Sequence, residues 1–249
     1  MTTFERLNCG KVFSHMSPAY QYMLAKAGVN RYNGARYYSE EITRNIIPNV
    51  KTDRNWITVN VDGCGFDHSI VFVHDNVNPE RYEWLADFDD LVLVCGVPST
   101  CGKVAHLGRA VYLPLSVDVA EVEAHRREKD RGTCYAGRIG KNERRFTSGT
   151  DHISALPRPE FLDELARYEK AYAVGRSAIE ARILGCEILP YDDRFPDPSV
   201  WKVFDNRDAA AMLQAIIDVI DGGFLLCKCG EELESEGVCP SCGRYVRAE

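Results

Sequence analysis

Short apolar runs alternate with amphipathic stretches along most of this chain. Gly10–Ser14 and Trp56–Val61 read as strands, followed by Ser69–Val73 (SIVFV) and Leu91–Cys95 (LVLVC). The last of these is apolar throughout, as expected of a strand buried on both faces. Ala110–Leu115, Thr133–Ala136, Lys170–Val174 and Glu187–Leu189 complete the predicted strands. Between them apolar residues recur at helical spacing. Ser17-Pro18 opens a helix lined by Tyr20, Met23, Leu24 and Ala27, and Asn78-Pro79 opens another with Tyr82, Leu85 and Phe88. Residues 39–47 form a short helix inside an otherwise unassigned Asn30–Asn55 stretch. Further helices are expected from Ser99 to Gly108, Val117–Lys129, Pro159–Tyr168, Ser177–Leu184 and Asp208–Ile220, the last with Met212, Ala215, Ile216, Val219 and Ile220 on one face. Strands alternating with helices predict an α/β fold with parallel sheets covered on both faces. The charged run Glu123–Gly132 (EAHRREKDRG) reads as a solvated helix end and linker, dividing the pattern into two Rossmann-like domains, 1–130 and 131–222.

A chain of 249 residues, 45% hydrophobic, supports two such cores. Its net charge of −7 argues against a broad phosphate-binding surface, so nucleic acid would need a local basic patch. No apolar run reaches the roughly 20 residues of a membrane span, and MTTFERLNCGK lacks the apolar core of a signal peptide. These features predict a cytoplasmic protein. Of the ten cysteines, Cys9, Cys64, Cys95, Cys101, Cys134 and Cys186 are scattered, mostly in or beside apolar runs, and read as buried thiols. The other four crowd the C-terminus as Cys227-x-Cys229 and Cys239-x-x-Cys242, each pair followed by glycine. Two close thiolate pairs suit tetrahedral zinc, and 223–249 resembles a zinc ribbon, with C-x-C replacing the commoner C-x-x-C in its first half. A redox dithiol or a disulfide hairpin is the competing account. Four cysteine ligands make a closed, structural site.

The most informative stretch is Lys170–Asp192 (KAYAVGRSAIEARILGCEILPYD): a strand, a tight glycine loop, a helix and a strand. Free backbone N–H groups at such a helix start suit a phosphate. Ser177 and Glu180 also form a plain capping-box pair, S-x-x-E, which needs no ligand. Upstream, His74-Asp75 ends an apolar strand, YLPLSVD follows a strand-turn-helix, and CYAGRIGKNERR opens the second half. Over residues 56–192 this order resembles the nucleotide-sugar glycosyltransferases of the GT-B fold, especially the retaining branch. EARILGCEI, from Glu180 to Ile188, is the most specific part of the likeness.

The resemblance implies transfer of a sugar from a nucleoside-diphosphate sugar to a hydroxyl acceptor, with no catalytic metal. It implies that Arg138, Lys141 and Arg144 hold the diphosphate, with help from Gly175, Arg176 and Ser177. Glu180 then takes the ribose, and His74 approaches the transferred sugar. The C-terminal ribbon would position a macromolecular acceptor such as DNA. The chain departs from the family in three places: Lys141 stands close behind Arg138, Tyr172 replaces an earlier Glu, and SHMSPAY replaces the N-terminal glycine loop. A non-catalytic nucleotide or nucleotide-sugar binder that recruits a partner through its ribbon is the alternative. His15, Asp62, Asp67 and His68 are further candidates for a cleft between the domains.

Overall fold

The computed structural model describes residues 12–14, 34–59, 65–74, 78–137, 150–153, 156–191 and 195–222, and the backbone of four two-residue strands beyond them. Two parallel sheets organise it, one of five strands and one of four. In the first, β1 (Val12–Phe13), β2 (Asn55–Ile57), β3 (Ser69–Val73), β4 (Leu91–Cys95) and β5 (Arg109–Tyr112) lie side by side in chain order. Every residue of β3 and β4 is buried. Side chains alternate between faces along a strand, and the core divides accordingly. Val71, Val73, Leu91, Leu93 and Cys95 pack on one side beneath a 3-10 helix (Pro79–Asp87) and α2 (Pro98–Val104). Ile70, Phe72, Val92 and Val94 pack on the other.

That second face is covered from two distant parts of the chain. One is α1 (Gly34–Glu41), which runs on into a π-helical turn, Ile42–Ile46, and supplies Tyr38, Ile42 and Ile46. The other is the long last helix, which we number α6 (Asn206–Asp221) and which contributes Ala209, Ala210, Leu213 and Ile217. The sequence reading counts this helix with the second half and puts Met212, Ala215, Ile216, Val219 and Ile220 on its apolar face. Instead the helix covers the first sheet, its buried face is turned toward Leu213 and Ile217, and Met212 and Ala215 are exposed. Arg54, almost fully buried, holds its C-terminal end by pairing with Asp221 at 2.8 Å and with Asp90 at 3.2 Å.

The second sheet has the order β7-β6-β8-β9, from β6 (Arg131–Ala136), β7 (Thr150–Ile153), β8 (Tyr168–Tyr172) and β9 (Glu187–Leu189). Its helices are α4 (Arg158–Leu165) and α5 (Arg176–Ile183), and its core includes Cys134, Leu162, Leu165, Ala171, Ile179, Ile183 and Trp201. β7 was not expected: TDHI is short and half-exposed, and leaves no apolar run to read.

The connection between the sheets is tied down more firmly than a solvated linker. Predicted to run from Val117 to Lys129, its helix is only α3 (Val119–Glu123), capped by the Asp118 carboxylate. Beyond it, Arg126 donates to the Ile183 carbonyl, and Lys129 donates to the carbonyls of Ala166 and Leu184 at 2.8 and 2.7 Å. These basic groups satisfy carbonyls left over at the C-terminal ends of α4 and α5. Outgoing and returning chains are stitched together as well, since Val117 and Asp205 form a parallel bridge. Of the six expected buried thiols, Cys95, Cys134 and Cys186 are buried and unbridged, Cys101 is half-buried, and Cys9 and Cys64 lie outside the described residues; burial pushes Cys134 up to about 12. Among the described residues no helix is long and apolar enough to cross a membrane.

Candidate functional site at the junction of the sheets

The order β7-β6-β8-β9 contains one reversal. The chain leaves β6 toward β7 on one side, while β8 pairs β6 on the other, with Tyr135 opposite Tyr172. A crevice forms where neighbouring parallel strands send their loops in opposite directions, and ligands of open α/β sheets bind there, at the carboxyl ends of the strands. The two loops leaving this point are those that follow Ala136 and Tyr172. They are the segments singled out from the sequence, one carrying Arg138, Lys141 and Arg144, the other Gly175, Arg176 and Ser177. The first three lie outside the described residues.

The second loop turns at Gly175, whose φ of 63° favours a residue without a side chain. α5 then begins at Arg176 with no side-chain cap. The predicted capping box is therefore absent. Glu180 is 2% exposed and faces two guanidinium groups instead. Arg176 Nη2 donates to Glu180 Oε1 at 3.2 Å, and Arg158 Nη1 donates to the same oxygen. Arg158 is the first residue of α4, so two uncapped helix N-termini and two arginines converge here.

The charge balance is completed from the other sheet. Glu41, the last residue of α1, pairs through Oε1 with Arg176 and with Arg158 Nη2 at 3.1 Å. Its Oε2 accepts from Asn206 Nδ2 at 3.0 Å and from the Asp118 backbone N–H at 3.3 Å. Burial alone would raise the Glu41 carboxyl; Arg176, then Arg158 and the Asn206 amide outweigh it and hold it below the usual carboxylate range. One turn back on the same helix face, Tyr37 donates to the Leu156 carbonyl at 3.1 Å. Its ring lies under Arg158, while that of Tyr38 lies under Arg176. The result is a buried four-charge lattice, Glu41–Arg176–Glu180–Arg158, joining α1, α4 and α5.

His74 follows β3 at the carboxyl edge of the first sheet, with its ring against Tyr38 at 5.6 Å. Nε2 lies 2.6 Å from the Thr58 carbonyl oxygen, which can only accept, so the ring proton sits on Nε2 and leaves Nδ1 as a bare acceptor. Burial first, and then the charge of Arg176, lower its pKa to about 4 against the opposing pull of Thr58. It is neutral near pH 7.

Other candidates lie elsewhere. Asp67 and His68 precede β3 and so occupy the opposite edge of the first sheet, where His68 bridges Asp90 and Asp53 at 2.5 and 3.0 Å. That corrects the expectation that they line the cleft. His15 and Asp62 are outside the described residues, as are Cys227, Cys229, Cys239 and Cys242. In sequence, one cysteine pair falls between β10 (Leu225–Leu226) and β11 (Glu232–Leu233), the other between β12 (Gly237–Val238) and β13 (Tyr245–Val246). Each of these strand pairs is antiparallel. A shallow pocket of about 420 Å³ beside α3 and the start of α6 is lined in part by Glu123, Asp205 and Asp208. Three carboxylates against Arg207 suit a phosphate poorly.

The residues that the sequence reading missed are Glu41, Arg158 and Asn206. Glu41 falls in the short helix expected over residues 39–47, where a charged residue reads as solvent-facing. Arg158 opens RPEFLDEL, which looks like any solvated helix start. Comparison with protein-family models, with curated proteins and with solved structures returned no match for this chain.

Proposed function

We propose that the protein binds a nucleoside-diphosphate sugar between its two sheets and transfers the sugar to a hydroxyl acceptor. The observation that carries this reading is the strand reversal at β6 and β8. The two loops leaving it are those whose residues resemble a donor site. In this reading Arg138, Lys141 and Arg144 hold the diphosphate with the backbone of Gly175–Ser177. Glu180 turns to the ribose once its arginine partners engage the ligand. Fixed cations and a helix N-terminus stabilise the charge that grows on a departing diphosphate without requiring a metal.

His74 fits the role of a hydrogen-bond acceptor for a sugar hydroxyl better than that of a proton carrier. Its low pKa favours the second reading, a nucleotide-sugar binder without turnover, and so does the pairing of Glu180 with two arginines. Titration calorimetry with nucleoside diphosphates, followed by donor-hydrolysis and transfer assays that include DNA acceptors, separates the two. Binding with turnover is the expected result. Binding without turnover selects the second reading, and no binding at millimolar ligand removes both.

For the C-terminal segment we propose a structural zinc held by Cys227, Cys229, Cys239 and Cys242. Support comes from four thiols in two close pairs, each within the connection of an antiparallel strand pair. Their few apolar neighbours could not hold so small a unit together without metal. Metal analysis of the purified protein should give about one zinc per chain. A metal-free protein whose C-terminal segment resists proteolysis would count against the ribbon.

A further inference from the structure

We propose that Glu41 is an intramolecular occupant of an anion site built by Arg158 and Arg176, and that a nucleoside diphosphate opens the junction by taking its place. The inference rests on the donor-site reading and adds a gate to it. Arg158 and Arg176 belong to the second sheet's helices, each at an N-terminus without a side-chain cap. Of the two carboxylates between them, Glu180 sits on the same helix as Arg176, so its side chain can turn toward a ribose but stays within the site. Glu41 reaches in from α1, on the other sheet, and is the one that can withdraw.

The present occupants fill the site poorly. Among the described residues, Arg176 meets both carboxylates through Nη2 alone, and its buried Nε has no hydrogen-bond partner. Arg158 donates through Nη1, whereas its buried Nε and Nη2 make no hydrogen bond among the described residues, although Nη2 lies 3.1 Å from Glu41 and 3.6 Å from Glu121. Buried Asn206 Oδ1 is also without a partner among the described residues. Two planar guanidinium groups thus hold donors that carboxylates in these positions do not use. A diphosphate has more acceptor oxygens and at least as much charge, and arginine matches its geometry in bidentate fashion. Because Glu41 is also held by Asn206 of α6 and the Asp118 backbone, its release would loosen the crossover between the sheets.

The test compares full-length wild type, Glu41→Gln and Glu41→Gln/Arg158→Gln by titration with uridine, adenosine, guanosine and thymidine diphosphates. Glu41→Asp, which keeps the charge but shortens the reach, stands in should the Gln variant fail to fold. Glu41→Gln should bind at least one diphosphate about tenfold tighter than wild type, and the double variant should lose that gain. Hydrogen exchange in α1 should rise when wild type binds ligand. Equal or weaker binding by folded Glu41→Gln or Glu41→Asp overturns the gate and leaves the donor reading standing. Absence of binding by every variant overturns both.

Discussion

Replacing Arg176 with methionine should cost about 3–5 kcal/mol of folding free energy, the range for removing one partner from a buried ion pair. Without Arg176, the Glu41 and Glu180 carboxylates stay buried and share Arg158 alone. One of the two must then be protonated or hydrated, and hydration would require α1 to move off α5. The loss reflects abandoned carboxylates more than any large net attraction in the intact lattice. Arg176→Met combined with Glu41→Met should therefore cost less than the two single changes added together. Urea unfolding reads both effects, as a lower midpoint with an unchanged slope. A control is the Arg167–Asp130 pair on the linker surface, whose removal should barely move the midpoint. If Arg176→Met costs less than about 1 kcal/mol, as exposed pairs do, water reaches the lattice and the junction is not closed.

The lattice marks the limit of what could be read from the chain. SIVFV and LVLVC announce buried strands because a residue with no polar neighbours in sequence has nowhere to go but a core. The apolar residues of α6 announce a helix with a buried side, although that side runs through Ala209, Leu213 and Ile217 and leaves the expected Met212 and Ala215 exposed. Neither pattern says which sheet the helix covers. α6 follows the second sheet in sequence but packs on the first, a long-range choice that local periodicity does not encode. β7 is invisible to the same reasoning, although it creates the reversal that defines the crevice. Charged residues are harder still: the period of a helix separates core from solvent only if charges face water. Glu41, Arg158 and Glu180 break that assumption together, since each is tolerated inside only because the others are there. Gly175 was legible because a tight turn before a helix start favours glycine. Ser177–Glu180 looked like a capping box because its spacing is right, yet the carboxylate finds two guanidinium groups instead of a backbone N–H.

Acidification provides the second large test, through His74. Its pKa is near 6.5 in the unfolded chain and about 4 in the fold. Above pH 6.5 the imidazole is neutral in both states and contributes no pH dependence. Below that, the unfolded state binds a proton that the folded state refuses until pH approaches 4. Stability present at neutral pH is therefore lost as pH falls through this window, by about 3 kcal/mol for a difference of two and a half units. His74→Gln isolates the effect: the amide still donates to the Thr58 carbonyl but cannot titrate. Between about pH 7 and pH 4.5 wild type should lose stability faster than His74→Gln, while the two run parallel above pH 7. Parallel behaviour throughout would mean that the imidazole charges freely inside the fold, so that Nδ1 is not a fixed acceptor. The same result would restore His74 as a proton carrier and weaken the case for a binder without turnover. A divergence would tie the acceptor role to burial against Tyr38 and the nearby charge of Arg176, the side chain that also anchors the lattice.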